Sequence, residues 1–414
     1  MKVSLYFFLL IFTIFNFSLS FNDFQMKFEA IKTSDEHFEA YIDIGKKTYN
    51  LIIDTSSPIS TIKKIFSSYD TKVVHNEYLL DYLDKMDISG QFHQENINND
   101  ENYPIIFLLS PDFKYKGAYG ILGLAYDENE NSILYKLKLN GNIKKLIFSL
   151  KPLYGIYNKF ELYFGDYHDD FELNETNKYN VGYCKMVHKK DSYSCLGKNI
   201  LLTNKDKVVN VPIDMKIVFD SASIFNYAPM ILMEKFQEAF KEECLGQTQI
   251  KNGKNIGFFK CRNVNKQMYL SFVINDFSYI LSNHNLFTFD MYEEDHTLLN
   301  MVFIFVNEID YILLGVPFIE QYHMLFDLED DKIFFHNDRE HNGEDFIKLY
   351  TNDVNNNNNN KVKYSEIKYI YFIILCFVVL VIINVYMCKK KIYRNNSNND
   401  KLNNNEEELL DIEV

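Results

Sequence analysis

Leu51-Ile52-Ile53-Asp54-Thr55-Ser56-Ser57 and Ile217-Val218-Phe219-Asp220-Ser221-Ala222-Ser223 are two versions of one pattern. In each, apolar residues run into an Asp, followed by a hydroxyl residue, a small residue and a Ser. Each is followed far downstream by two apolar residues and a Gly: Ile121-Leu122-Gly123 within YGILGLAY, and Leu313-Leu314-Gly315 within YILLGVPF. Short apolar runs bounded by turn-forming residues read as buried strands. A duplicated lobe that contributes one Asp per copy is the simplest account. Upstream of the first copy, Phe38 to Ile44 (FEAYIDI), Gly45-Lys46-Lys47 and Thr48 to Ile53 (TYNLII) give a hairpin signal. Further strands are expected over Ile105 to Leu109, Leu146 to Leu150, Glu161 to Phe164, Tyr269 to Ile274 and Met301 to Val306. Leu232 to Cys244 is the best helical stretch.

The chain has 414 residues, 47% of them hydrophobic, which is enough for two packed lobes and too apolar for a disordered protein. Its net charge of −14 argues against nucleic acid as a partner. Arg occurs at positions 262, 339 and 394 alone, so bidentate clamps for phosphate are scarce. No metal site is indicated, because there is neither a C-x-x-C pair nor a His cluster. No cofactor motif is present either: nucleotide-binding loops, HExxH and the serine-nucleophile elbow are all absent.

The two ends read as targeting and anchoring segments. Met1-Lys2, an apolar run to about Phe17 and Ser18-Leu19-Ser20 describe a signal peptide over residues 1–20. Residues 369–388 (YIYFIILCFVVLVIINVYMC) are long enough to cross a bilayer, with Tyr369 and Tyr371 at one end and Lys389, Lys390, Lys391 and Arg394 after the other. Residues 351–368, with Asn355 to Asn360 in an unbroken run, read as an Asn-rich tether, and residues 389–414 as a cytoplasmic tail. Leu409-Leu410 after three Glu resembles an endosomal sorting signal, and Leu409 to Glu413 a clathrin-binding box, so an adaptor contact through the tail is expected. The chain then reads as a single-pass type I protein of the secretory, endosomal or vacuolar system or the cell surface. Its bulk is lumenal or extracellular, with lobes over 21–180 and 181–350.

Cys376 and Cys388 lie in the apolar span, which leaves Cys184, Cys195, Cys244 and Cys261 for two lumenal disulfides. Sequence-local pairing gives 184–195 and 244–261, and the other two connectivities stay open. Asn174-Glu175-Thr176 is a glycosylation sequon.

Taken in order, these pieces resemble the pepsin-like aspartic proteases over roughly residues 25 to 348. FEAYIDIG…TYNLIIDTSS is similar to the strand pair leading to the family's first catalytic Asp, and IVFDSAS to its second motif. FELYFGD (160–166) resembles the strand before the lobe junction. Cys244…Cys261 with YLSFVINDFSYIL resembles the second lobe's disulfide and strand pair, and YILLGVPFIEQYHMLFDLEDDKIFFH the closing segment. The resemblance implies a mostly β, bilobal double β-barrel with pseudo-two-fold symmetry.

It also implies a chemistry. In that family two carboxylates about 3 Å apart share one proton, because like charges so close do not both ionise. The neutral member polarises the scissile carbonyl and the ionised member draws a proton from water. Asp54 and Asp220 match that pair, and the substrate would be a peptide or protein. Thr55 and Ser221 match hydroxyls that bond across to the opposite lobe. Ser57 and Ser223 match hydroxyls that donate to the outer carboxylate oxygens, and Tyr82 matches the tyrosine of the flap. The family has Gly where Ser56 and Ala222 stand; these fit without strain if φ stays negative. The alternative function is a catalytically inactive protein of the same fold that binds a peptide or partner in its cleft.

Overall fold

The computed structural model describes most of residues 26–349. Residues 1–25 and 350–414 lie outside it, as do several connecting segments, the longest being 65–71, 81–87, 172–180 and 338–346. The signal peptide, tether, apolar span, tail, sequon Asn174 and flap candidate Tyr82 therefore all lie outside the described residues. Among the described residues no helix is long and apolar enough to cross a membrane.

The described chain is mostly β, with a few short helices. Its strands form one 13-stranded and one 12-stranded sheet. The larger sheet has a linear strand order, and the smaller branches at Lys254–Arg262, which pairs with three strands. The hairpin opens the fold as expected: Phe38–Ile44 pairs antiparallel with Lys47–Asp54, from Glu39 opposite Ile52 to Ile44 opposite Lys47. The turn needs a left-handed residue, and Gly45 supplies it at φ 57°. The other expected strands form with shifts of a residue or two, for example Pro104–Ser110 and Met268–Ile274. Met301 to Val306 divides between His296–Met301 and Phe303–Val306.

The duplication is repeated in register. Lys47–Asp54 runs parallel to Gly120–Gly123, with Asp54 opposite Gly123. Lys207–Phe219 runs parallel to Ile312–Leu314, with Phe219 opposite Leu314. In each copy a third strand then packs antiparallel against the strand that runs up to or into the Gly: Ser60–Lys63 in the first and Asn226–Pro229 in the second. The glycines are dictated by close backbone approach. A Cβ on Gly123 would lie 2.6 Å from the Ile59 carbonyl carbon, and one on Gly315 would collide with the carbonyl oxygens of Ser223 and Phe225. Ile59 and Phe225 stand at the same place in the two copies, five residues after their Asp.

The two halves are joined by more than a linker. In the larger sheet Val181–Lys185, Lys332–His336, His323–Asp327, Ile147–Pro152, Lys159–Phe164 and Met26–Lys32 are consecutive neighbours. The last three lie before residue 180 and the first three after it. Met324 pairs with Leu150, and the Phe148 and Phe326 rings stack at 4.6 Å. The expected lobe boundary at 180/181 thus falls inside one continuous sheet.

In the second half the helix is shorter than the sequence suggested. A 3-10 turn, Met230–Leu232, leads into the helix Met233–Phe240. Cys244 instead starts the strand Cys244–Lys251, directly opposite Cys261, and is disulfide-bonded to it. That cross-strand bond requires extended backbone at Cys244, which ends the helix earlier. The helix buries Phe236 and Phe240, and Phe236 packs against Phe259, Phe303 and Phe305; in a chain without Trp, Phe fills this core. Cys184 is bonded to Cys195 and ties Val181–Lys185 to Ser194–Asn204.

Candidate active site

Each duplicated unit delivers its Asp at the end of a buried strand. Asp54 closes Lys47–Asp54, and Asp220 follows Lys207–Phe219; they are 2% and 7% exposed. Burying two carboxyls costs free energy unless donors meet them, and the turns after each Asp present such donors. Asp54 Oδ1 accepts from the N–H groups of Ser56 (2.8 Å) and Ser57 (3.0 Å) and from the Ser56 hydroxyl (2.7 Å). Asp220 Oδ1 accepts from the Ala222 N–H at 3.0 Å.

Thr55 and Ser221 hold the two turns together by four reciprocal hydrogen bonds. The Thr55 N–H donates to Ser221 Oγ and the Ser221 N–H to Thr55 Oγ1, both at 3.0 Å. The Thr55 hydroxyl donates to the Phe219 carbonyl (2.9 Å) and the Ser221 hydroxyl to the Ile53 carbonyl (2.7 Å). Both side chains are fully buried. Every donor in this set has a partner in the opposite half, so the set fixes the separation of the two Asp-bearing turns. Ser221→Ala would leave the Thr55 N–H and the Ile53 carbonyl without that hydroxyl. A loss of about 2 kcal/mol is expected, read as a lower denaturant midpoint at unchanged slope, with Ser221→Thr retaining most of the stability.

The Ser57 and Ser223 hydroxyls donate to the carbonyls of Ile59 (3.0 Å) and Phe225 (3.2 Å). The sequence suggested donation to outer carboxylate oxygens; a role it did not reveal is this pinning of each turn at the point where Gly123 or Gly315 packs against it. The symmetry extends one residue further. The Gly123 N–H donates to Ser60 Oγ (3.2 Å), and the Gly315 N–H to Asn226 Oδ1 (2.8 Å).

Ser56 and Ala222 are not among the described non-glycine residues with positive φ. Their N–H groups still reach the carboxylates, so the loss of glycine at these positions leaves no backbone strain.

The electrostatics of the pair follow from burial and proximity. Burial, then the neighbouring Asp54 charge, raise the Asp220 carboxyl to about 7, against the pull of the Ala222 and Ser223 N–H groups and of a hydrogen bond with Ser56. Three donors on Asp54 Oδ1 favour the charged form there. Like charges that repel and differ in hydrogen-bonding will hold one proton between them, and its titration belongs to the pair.

Two neighbours carried no sequence signal. His37 precedes the strand Phe38–Ile44 and hydrogen-bonds the backbone of Ala222; burial lowers its pKa against the pull of Glu39, Asp35 and Asp54. Tyr311, just before Ile312–Leu314, has its phenol raised by burial and by the Asp220 charge. The strand pair Lys72–Leu80 and Ile88–Asn96 flanks residues 81–87, where Tyr82 lies.

Two duplicated turns that bring buried, mutually perturbed carboxyls to a shared hydrogen-bonded seam define an aspartic-protease type of site. The family model for eukaryotic aspartyl protease matches residues 67–337, well over half of the chain, and the chain belongs to that family. The matched region contains Asp220, Gly123 and Gly315 but begins after Asp54; the place of Asp54 in the site rests on its register with Gly123 and on its donors. No curated protein matches the chain.

Proposed function

We propose that this protein is an aspartic endopeptidase, tethered to a membrane by residues 369–388, that hydrolyses peptide bonds with a water activated between Asp54 and Asp220. The observation that carries this reading is the reciprocal Thr55–Ser221 network, which joins the two Asp turns into one site. Asp220 starts protonated and Asp54 ionised. Asp54 takes a proton from the water as its oxygen attacks the carbonyl carbon, and Asp220 gives its proton to the carbonyl oxygen. In the second half, the proton on Asp54 passes to the leaving nitrogen and Asp220 recovers one from the tetrahedral diol as the C–N bond breaks. Both carboxyls end as they began. A double-barrelled, pseudo-symmetric cleft, a flap carrying Tyr82 and a lumenal or extracellular location with an acid working range complete the proposal. The tail's Leu409-Leu410 would direct endosomal sorting.

Cleavage of a peptide library between about pH 3.5 and about pH 7, with and without a statine inhibitor, tests it. Inhibitor-sensitive cleavage is expected. A cooperatively folded protein that binds the inhibitor without turnover would instead support the peptide-binding alternative.

A further inference from the structure

Lys32 ends the strand Met26–Lys32, and its ammonium bonds Glu320 Oε2 at 2.7 Å, 288 residues away in the chain. It also bonds Glu36 at 2.6 Å, but the two pairs are not equivalent. The Glu36 side chain is 54% exposed, so water screens that pair, whereas the side chains of Lys32 and Glu320 are 17% and 21% exposed. Burial raises the Glu320 carboxyl, and the Lys32 charge opposes it. The other Glu320 oxygen accepts from Asn285 Nδ2 at 2.8 Å, so the carboxylate is held from both halves.

Each end of this tie leads to an Asp turn. The Glu320 N–H donates to the Val316 carbonyl at 2.9 Å, and the Val316 N–H to the Ser223 carbonyl, in the turn after Asp220, at 2.8 Å. On the other side Lys32 lies opposite Phe38, and the next residue, Glu39, lies opposite Ile52, two residues before Asp54. The turn between Lys32 and Phe38 holds Glu36 at φ 67°, which a non-glycine residue keeps only where its surroundings impose it. The continuous sheet also joins the halves, through Ile147–Pro152 and His323–Asp327, but these strands carry neither Asp turn. We propose that Lys32 is a positioning residue of the site. Through Glu320 and the helix Val316–Ile319 it keeps the Asp220 turn seated against the Asp54 turn, so that the Thr55–Ser221 bonds stay closed. This rests on the reading of the two turns as one site, but its test reads the seam and needs no turnover.

Hydrogen exchange of the full-length protein, followed by mass spectrometry in peptides spanning residues 53–57 and 219–223, tests it. The Thr55 and Ser221 N–H groups donate across the seam and exchange when it opens. In Lys32→Gln and in Glu320→Gln they are expected to exchange about tenfold faster, while the strand Met268–Ile274 keeps its protection. Lys32→Glu combined with Glu320→Lys restores opposite charges and is expected to recover most of the protection. Lys138→Gln removes another ion pair between the halves, the one with Glu329, and is expected to leave both peptides unchanged. Unchanged exchange in both single variants, an equal loss of protection in Met268–Ile274, or no recovery in the reversed pair overturns the proposal. A loosened seam in a protein with no protease activity keeps the tie and removes the endopeptidase.

Discussion

Asp54→Asn is expected to lower kcat for peptide cleavage by about 10⁴-fold, and Asp220→Asn by a similar factor. The two losses have different origins. Asn at 54 keeps the hydrogen-bonding shape but cannot accept the proton of the attacking water. Asn at 220 can still donate a hydrogen bond to the carbonyl but has no proton to transfer. The losses should not add, because either change stops the same proton circuit: the double variant should be about as slow as each single one. Substrate or inhibitor binding measured without turnover should survive in the single variants, since the Thr55–Ser221 network holds the seam independently of both carboxyls. An Asp54→Asn protein that retains inhibitor-sensitive activity would remove Asp54 from the chemistry.

The second large effect is on stability, and its sign follows from the raised Asp220 carboxyl. Asp220 moves from an ordinary 3.8 to about 7 on folding. Between those values the native state holds a proton that the unfolded chain has released, so the parent loses stability as pH rises through that window. Asp220→Asn carries no such penalty and should gain on the parent over the same range, on the order of 4 kcal/mol by slightly alkaline pH. By about pH 3 the gain should be small, because Asp220 is then mostly protonated in both states. His37 contributes the opposite slope. Its pKa is lowered by burial, so the native state resists protonation and stability falls as pH drops below 6.5. That slope is common to parent and variant and cancels in their difference. Denaturant midpoints of both proteins across pH give the comparison, and parallel curves would show that Asp220 is not strained in its charged form.

The part of the site legible in the sequence was the part carried by local repetition. Asp54 and Asp220, the hydroxyls at 55 and 221 and the glycines at 123 and 315 are each one step of a pattern that occurs twice, and the FEAYIDI hairpin is local by nature. What escaped was carried by distance or by a single atom. Nothing near Phe148 indicates that its strand will pair with His323–Asp327, so the continuous sheet behind both halves had no local signal. The helix drawn to Cys244 ends at Phe240 because a partner seventeen residues away, Cys261, claims Cys244 for a ladder. His37 and Tyr311 sit in strand-flanking positions that look like ordinary surface chemistry until the chain folds back on the Asp turns. Ser56 was visible as a departure from glycine, and the sequence read it through the backbone torsion it must adopt. The consequence lies in where its oxygen points, to the carboxylate of Asp54 two residues before it.

The account stands on one proton shared by Asp54 and Asp220 across the seam, and the pH dependence of kcat/KM for a cleaved peptide tests it most directly. A bell is predicted, with its acid limb set by ionisation of the pair and its alkaline limb near the Asp220 value of about 7. A rate that keeps climbing well above that value, or a folded protein with no inhibitor-sensitive cleavage anywhere in the range, would contradict it.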